Sequence, residues 1–145
     1  RCGNLKPKNR MAIWLSHLVL NCLAPTAYPQ QSQLLGSDET TTYKPTKNCN
    51  EQLKTLLDYF WTGQHHPLPL LLESSYAFAL ECHKGKNRSA AIKKAQEKWS
   101  NYKDQGTDSQ DLYYKLAFNE EAPFDERFES VSQEIFGPLL EHQED

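Results

Sequence analysis

Apolar residues recur at helical spacing from Arg10 to Leu23, and they cover most of the circumference of the helix that this spacing predicts. A helix that is apolar on most sides must be covered, so we predict that it is buried against a sheet. Pro25 and Pro29 follow it, and proline ends helices. Within the helix, His17 is expected to be a core or boundary histidine with satisfied hydrogen bonds, rather than a metal ligand.

Two short segments after this helix have the composition of strands. Residues 33–36 and 40–44 are joined by a Gly-Ser-Asp-Glu turn, and the second segment contains consecutive threonines, which favour strands because they branch at Cβ. Pro45 lacks the N–H that a sheet ladder needs, so it ends the second strand or keeps it at an edge. The pattern therefore predicts two paired strands within residues 33–44.

The remainder of the chain predicts further helices. Asn48 or Asn50 is expected to cap the second helix, and Ser74 or Ser75 the third. The fourth helix is expected to start near residues 87–89, and the last at the run Pro123-Phe124-Asp125. Their expected stops are Gly63, Gly85 and Gly137 with Pro138. The buried face of the second helix is expected to consist of Leu53, Leu56, Leu57, Phe60 and Trp61.

The sequence pattern of the C-terminal third predicts its secondary structure less definitely. Residues 111–118 are apolar and aromatic and fit either a short helix or a strand. After the stop of the last helix, residues 139–140 are expected to fold back, and residues 141–145 are expected to form a polar tail.

Composition narrows the class of protein. The chain has 145 residues, of which 38% are hydrophobic and 24% charged, so we predict one folded domain with a packed core. No apolar run approaches the roughly 20 residues of a membrane-spanning helix, so no membrane contact is expected. The four cysteines include no Cys-x-x-Cys pair, which favours a reduced, cytoplasmic location. Cys82-His83 with His65-His66 would be a zinc site of unusual spacing, so no metal is expected.

Charge is distributed unevenly along the chain. Residues 1–103 contain 14 Lys and Arg against 7 Asp and Glu, whereas residues 104–145 contain 2 against 12. A basic body with an acidic tail allows one face to meet phosphate while another repels it. Two ordinary solvated faces are the alternative explanation.

Two groups of basic residues are the candidate DNA-binding positions. One opens the first helix and the other surrounds the fourth: Lys6, Lys8, Arg10, and Lys84, Lys86, Arg88, Lys93, Lys94, Lys98. Neighbouring like charges on a helix repel, and either phosphate or an acidic protein surface would relieve this repulsion. A role in solubility alone is the remaining alternative. Trp99 and Tyr113-Tyr114 have rings that stack on bases in other proteins, although core packing is the commoner role of such rings.

The common catalytic signatures are missing from the sequence. It contains no phosphate-binding loop, no GxGxxG, no nucleophile elbow and no HExxH. A metal-dependent nuclease needs several carboxylates around Mg²⁺, yet the first acidic residue is Asp38, after the first predicted helix. We therefore predict no catalytic residue and no bound cofactor in this chain.

Several short segments, in order over nearly the whole chain, resemble one family. They are LKPK (5–8), WLSHL (14–18), PLP (67–69), SYA (75–77), YYKLAF (113–118), FDERF (124–128) and FGPLL (136–140). This ordered set resembles the C-terminal domain of RecC, the gamma subunit of exodeoxyribonuclease V (RecBCD).

The resemblance implies a helix-rich α+β fold, as part of an inactive restriction-endonuclease-like (PD-(D/E)xK-like) domain with added helices. It implies a nuclease-like domain fragment over residues 1–145, with the N-terminal part of the domain missing. Residues 1–3 would hold the place of the acid-x-Lys motif of active relatives, and they carry no acid. If the first strands of the domain are missing, the helix around Trp14 should expose an apolar patch, which dimerisation would cover.

The resemblance also implies a function: a non-catalytic DNA-handling and subunit-contact domain of the RecBCD helicase–nuclease, in double-strand break repair and homologous recombination. The expected partners are DNA and the other subunits, RecB and RecD, and the Mg²⁺ and ATP of the complex would be used by those subunits. A pure protein-interaction scaffold without direct DNA contact is the alternative, and an active Mg²⁺ nuclease is a third hypothesis. No individual DNA contact is carried over, so the basic positions above rest on charge alone.

Overall fold

The computed structural model describes residues 5–23, 28–37, 39–100, 108–118 and 123–144. Within these ranges the elements are α1 (Pro7–Leu23), β1 (Ser32–Leu35), β2 (Thr40–Tyr43), α2 (Cys49–His65), α3 (Leu72–His83), α4 (Arg88–Ser100), α5 (Leu112–Phe118), α6 (Glu126–His142) and β3 (Gln143–Glu144). A 3-10 turn, Asp108–Gln110, precedes α5. The fold is helix-rich with a small sheet, which confirms the α+β class, and the segment that fitted either a helix or a strand is helical.

The three strands form one antiparallel sheet in the order β1-β2-β3. Ser32 pairs with Tyr43, and the predicted pairing of the first two strands is confirmed. The prediction of a polar tail was wrong, because β3 pairs with β2 and the backbone N–H of Lys44 donates to the carbonyl of His142 at 2.9 Å. This pairing satisfies backbone groups that an open edge would leave to water. The nuclease-like topology that the resemblance implies stays a prediction.

Helix α1 is amphipathic rather than buried on most sides. Trp14, His17 and Leu18 face the interior and are at most 1% exposed. Leu15 and Val19 face outward, with 47% and 40% of their surface exposed. The prediction of burial around most of the helix was therefore wrong, because the described elements cover only one of its faces, and an apolar patch is present on the other.

Helix α6 continues through the Gly-Pro pair at 137–138 to His142, so the predicted stop was wrong. Proline removes one backbone N–H from the helix, and the usual acceptor of that N–H would be the carbonyl of Glu134. Glu134 is an exposed residue of α6. Leu139 and Leu140, which were expected to fold back, are 0% and 3% exposed within the helix, and their burial offsets the lost bond.

The predicted starts of α4 and α6 are confirmed, and a side chain caps each of them. The Oδ1 atom of Asn87 accepts the N–H of Ala90, and the Oδ1 atom of Asp125 accepts the N–H of Phe128, both at 2.9 Å. Each bond satisfies an N–H that the first turn of a helix leaves without a partner. Helix α2 begins after Asn48, one of the two predicted positions, although the Asn48 side chain makes no capping bond.

Helix α3 starts at Leu72, before the predicted serine caps, so that prediction was wrong. The carboxylate of Asp108 accepts the backbone N–H of Ser74 at 2.8 Å and acts as the cap. The hydroxyl of Ser75 accepts the N–H of Leu71 at 3.1 Å. Asp108 lies 34 residues from Ser74, so no local pattern reveals this cap.

Gly85 ends α3 as predicted, with a φ of 73° that glycine adopts without a steric penalty. Its N–H donates to the carbonyl of Cys82, and the N–H of Lys86 donates to the carbonyl of Glu81. These two bonds form a Schellman motif, which satisfies the last carbonyls of the helix. Gly63, by contrast, lies inside α2 and does not end it.

Two groups of buried side chains hold these elements together. The first joins α1, β2, α3 and α6 around Trp14 and Phe136. The second joins α3, α4 and the first turn of α6 around Phe78 and Phe128, and it includes two small alanines of α4. These small side chains let α4 approach α3 closely, so the exposed face of α4 is held on a rigid support.

Candidate nucleic-acid interface

The basic residues at the start of α1 lie in different environments. Lys6 and Lys8 are exposed. Arg10 is 5% exposed, donates to Oγ1 of Thr41 at 2.9 Å, and forms an ion pair with Glu39. Arg10 therefore ties α1 to the hairpin, and it does not contribute to an exposed basic surface.

The charge of Arg10 is balanced inside the protein. Its guanidinium carbon lies 5.7 Å from the centroid of the Tyr76 ring, within the range of a cation–π contact. Burial by itself lowers the pKa of Arg10, but interactions with Tyr76 and Glu39 outweigh burial and raise this pKa above its ordinary value. Arg10 thus stays charged as an interior cation.

Ion pairs hold three of the six basic candidates around α4. The pairs are Arg88–Glu129, Lys84–Glu81 and Lys94–Glu97. Arg88 donates two hydrogen bonds to the Glu129 carboxylate on α6, one of them 2.8 Å from Nε to Oε2. These hydrogen bonds raise the pKa of Arg88, and the Glu97 carboxylate raises that of Lys94 in the same way. Part of the positive charge predicted for this region is therefore already compensated.

The other three candidates remain available to a partner. Lys86, Lys93 and Lys98 are exposed, and none of them forms an ion pair with another described residue. Lys93 borders a surface pocket of about 590 Å³ whose lining includes Ile92 and Phe124. We call these three lysines together with this pocket the α4 basic surface. It combines lysines that form no described ion pair with a pocket to which Ile92 and Phe124 contribute apolar surface, and cations beside an aromatic ring bind nucleic-acid strands in other proteins.

The aromatic candidates are mostly part of the interior. The ring of Trp99 packs edge to face against that of Phe124, with 6.3 Å between centroids. The hydroxyl of Tyr114 donates to the carbonyl of Leu70 at 2.9 Å, and burial raises the pKa of Tyr114 to about 12. Tyr113 is 80% exposed, so it alone of the three candidates presents its ring to solvent.

The residues considered for a metal site do not converge. Among the described residues, no group of three or more His, Cys, Asp or Glu side chains is placed to hold a metal ion. The Cys82 thiol accepts a hydrogen bond from Gln133 at 3.6 Å, and burial raises its pKa, which disfavours the thiolate form that binds metals. None of the described helices is both long enough and apolar enough to cross a membrane.

His17 is a fully buried link between α1 and the hairpin. Its Nε2–H donates to the carbonyl of Lys44 at 3.0 Å, so Nδ1 accepts the hydroxyl of Ser32 at 2.9 Å, a tautomer assigned from these partners. Serine–histidine contacts occur in hydrolases, but this ring is 0% exposed and stacks on Trp14. The prediction of a satisfied core histidine is confirmed.

This burial predicts an acid-sensitive fold. Burial lowers the pKa of His17 below 6.5; the bond to Lys44 opposes this shift, and the nearby charge of His142 adds to it. The unfolded chain then takes up a proton that the folded chain resists, so the free energy of unfolding should fall as pH drops below about 6.5. Urea unfolding across this range measures the effect. His17→Gln should reduce the dependence of the free energy of unfolding on pH by the contribution of His17. Equal pH dependence in both proteins would show that His17 does not cause the acid sensitivity.

Helices α1 and α2 enclose an apolar groove of about 830 Å³. Side chains of both helices and of residues 68–72 line it, among them Met11, Leu15, Val19, Leu57 and Phe60. The predicted burial of the whole apolar face of α2 was wrong, because Leu57, Phe60 and Trp61 are 64–66% exposed. One sequence signal points to the groove: α1 has no charged residue after Arg10. We call this feature the α1–α2 groove.

A family model for the RecC C-terminal domain matches residues 1–83, which include α1, the hairpin, α2 and α3. No curated protein matches the chain. The α4 basic surface lies beyond the matched residues, whereas the α1–α2 groove lies within them. RecC is part of the RecBCD exodeoxyribonuclease V complex of DNA repair. Because the match covers more than half of the chain, the chain belongs to the RecC C-terminal domain family.

Proposed function

We propose that this chain is a non-catalytic DNA-handling and subunit-contact domain of the gamma subunit of the RecBCD helicase–nuclease. Its role would lie in double-strand break repair and homologous recombination. Family membership supports its place in that complex. In this proposal RecB and RecD carry the ATP-dependent and Mg²⁺-dependent chemistry, while this domain contacts DNA and its partner subunits.

The observation that carries the DNA contact is the α4 basic surface. Its three lysines are exposed and form no ion pair with a described residue, so they can contact phosphate, and such binding releases the counterions of DNA. The positive field of α4 is visible at Glu97, whose pKa is lowered first by Lys94 and further by Lys93 and Lys98. Beside Lys93, the ring of Phe124 offers an apolar surface for a base.

The positions of the carboxylates support a non-catalytic role. Asp108 and Asp125 accept backbone N–H groups at the starts of α3 and α6. Glu39 and Glu129 compensate arginines on other elements. A metal-dependent nuclease would instead direct several carboxylates to one point. Incubation of the chain with DNA and Mg²⁺ or Mn²⁺ tests this part, and robust cleavage would overturn it.

Charge reversal on the α4 basic surface should weaken DNA binding. We expect the double variant Lys86→Glu plus Lys93→Glu to bind forked DNA less tightly, because two phosphate contacts are replaced by repulsion. The slope of log affinity against log salt should become shallower by about 2, one for each lysine. Fluorescence anisotropy with a labelled fork over a salt series measures both quantities.

A matched control changes the net charge equally on another element. Lys47→Glu plus Lys54→Glu places the same charge change before and on α2, and should leave the salt slope within error of the parent. Glu129→Gln should raise affinity, because it releases Arg88 from its pair beside the same pocket. If the α4 variant and the α2 variant lose affinity equally, binding is not localised to α4 and this part of the proposal fails.

The pure scaffold alternative also has an observation in its favour, namely the exposed α1–α2 groove. Under this alternative the chain would be retained by RecB or RecD but would show no affinity for forked DNA at low salt. Under our proposal it is retained by both the subunits and the DNA. Parallel capture on immobilised subunits and on immobilised DNA separates the two functions.

A further inference from the structure

The α1–α2 groove shares no lining residue with the pocket on α4. Both helices contribute to its lining, and Cys22 near the end of α1 lies beside Cys49 at the start of α2. The apolar stripe from Met11 to Val19 is about 12 Å long at 1.5 Å per residue. The groove is therefore long enough for at least two turns of a helix.

The side chains that line the groove are arranged as two ridges. On α1 they repeat every four residues at Met11, Leu15 and Val19, and on α2 they include Leu57 and Phe60. Side chains at this spacing lie in rows along a helix, and a third helix packs its own ridge between two such rows. The geometry favours an α-helix over an extended peptide, because neither helix offers the free backbone groups that strand addition requires.

The charges in and beside the groove indicate the polarity of the helix that would bind there. The groove lining contains no charged residue, so the occupant must present an uncharged apolar face. Lys8 lies on the same helical face as Leu15, about two turns before it, and forms no ion pair with a described residue. Glu73, Asp108 and Asp111 line a neighbouring pocket with Lys8, but none of the three forms an ion pair with it, and the two aspartates accept backbone N–H groups at helix starts. Lys8 thus remains available to a carboxylate of the occupant.

We infer that the α1–α2 groove binds an amphipathic α-helix of another protein chain, apolar on the buried face and acidic at the end that meets Lys8. This inference rests on the subunit-contact part of the proposed function and names the chemistry of the partner. The exposed apolar area is of the kind that marks protein interaction sites. The helix would cover Leu57 and Phe60, and its acidic end would satisfy the charge of Lys8.

A second copy of this chain fits the groove less well. The groove lining of a second copy contains no carboxylate, so pairing of two copies through the lining residues alone would leave Lys8 without a partner. Helix α5 also exposes apolar residues, with Leu112 and Leu116 71% and 83% exposed. These two leucines are about 6 Å apart along the axis, roughly half the length of the groove stripe. An amphipathic helix of another protein matches both the length and the charge.

The test uses the full chain and a fluorescent synthetic helix as the probe. The peptide has about 14 residues, with leucines at i, i+3, i+4 and i+7 and two glutamates in its first turn. The leucine face of the peptide can lie in the groove in either orientation, so the peptide can place its two glutamates beside Lys8. We expect saturable binding by anisotropy, and binding weakened about tenfold or more by Leu57→Glu, which places a charge in the apolar contact.

Charge exchange at Lys8 tests the orientation. Lys8→Glu should lower the affinity for the acidic peptide by about threefold. The same variant should bind more tightly a peptide that carries lysines in place of the two glutamates. Leu116→Glu, an 83% exposed residue outside the groove, is the matched control and should leave peptide binding unchanged. The inference is overturned if the peptide does not bind, if Leu57→Glu has no more effect than Leu116→Glu, or if sedimentation shows a dimer that excludes the peptide.

The same variants distinguish this inference from the proposed DNA contact. Leu57→Glu should retain affinity for forked DNA, and Lys86→Glu plus Lys93→Glu should retain affinity for the peptide. Loss of DNA binding with intact peptide binding contradicts only the α4 assignment. Loss of peptide binding with intact DNA binding contradicts only the groove assignment.

Discussion

Phe128→Ala is expected to lower the free energy of unfolding by about 3–5 kcal/mol, as is typical when a large core aromatic is truncated. Phe128 is 0% exposed, and its ring centroid lies 5.0 Å from that of Phe124 and 5.5 Å from that of Phe78. The ring therefore joins the first turn of α6 to α3 and to the segment before α6. Its loss removes both the buried area and the edge-to-face contacts, and leaves a cavity between these elements. Urea unfolding followed by circular dichroism measures the change.

Phe60→Ala removes the same atoms from a different environment. Phe60 is 64% exposed in the α1–α2 groove, so the expected loss is within about 0.5 kcal/mol. If Phe128→Ala does not fold, Phe128→Leu keeps most of the volume and should cost about 1–1.5 kcal/mol. Equal losses for the alanine variants at 128 and 60 would mean that Phe128 is not a core residue.

Glu39→Ala is expected to lower the free energy of unfolding by about 2–3 kcal/mol. Removal of one partner from a buried ion pair is costly, because the remaining charge stays in the interior; the cost for full burial is about 3–5 kcal/mol. The side chain of Arg10 is only 6% exposed, but that of Glu39 is 37% exposed, so solvent screens part of the interaction and reduces the expected loss. Thr41 would remain as the hydrogen-bond acceptor for Arg10.

The pair Arg88–Glu129 provides the contrast. Here the arginine is 67% exposed, so Glu129→Ala leaves a solvated charge, and the expected loss is about 0–1 kcal/mol. Thermal or urea unfolding of both alanine variants, under identical salt, tests whether burial of the remaining arginine decides the cost. A larger loss for Glu129→Ala than for Glu39→Ala would contradict the assignment of Arg10 as the interior cation.

In the candidate site, the pattern of basic residues along the chain identifies which region is positively charged, but it does not identify which of those residues are free to contact a partner. All nine basic candidates were chosen by their position in the sequence, yet their environments differ. Arg10 compensates Glu39 in the interior, and Arg88 is paired across to α6, 41 residues away. Lys86 and Lys93 keep their charge exposed. These differences depend on which carboxylates the fold brings nearby, and the sequence spacing of the cations does not record them.

By itself, the sequence determined the local elements of this protein: the hairpin, the helix starts at Asn87 and Asp125, and the stop at Gly85. Each depends on residues within about one turn, whose backbone and capping preferences act without help from the rest of the chain. Only the tertiary structure decided that Asp108 caps α3, that α6 continues through its proline, and which apolar faces stay exposed. These features depend on burial and on partners distant in sequence. The free energies of these interactions exceed those of local backbone preferences, so they decide the outcome.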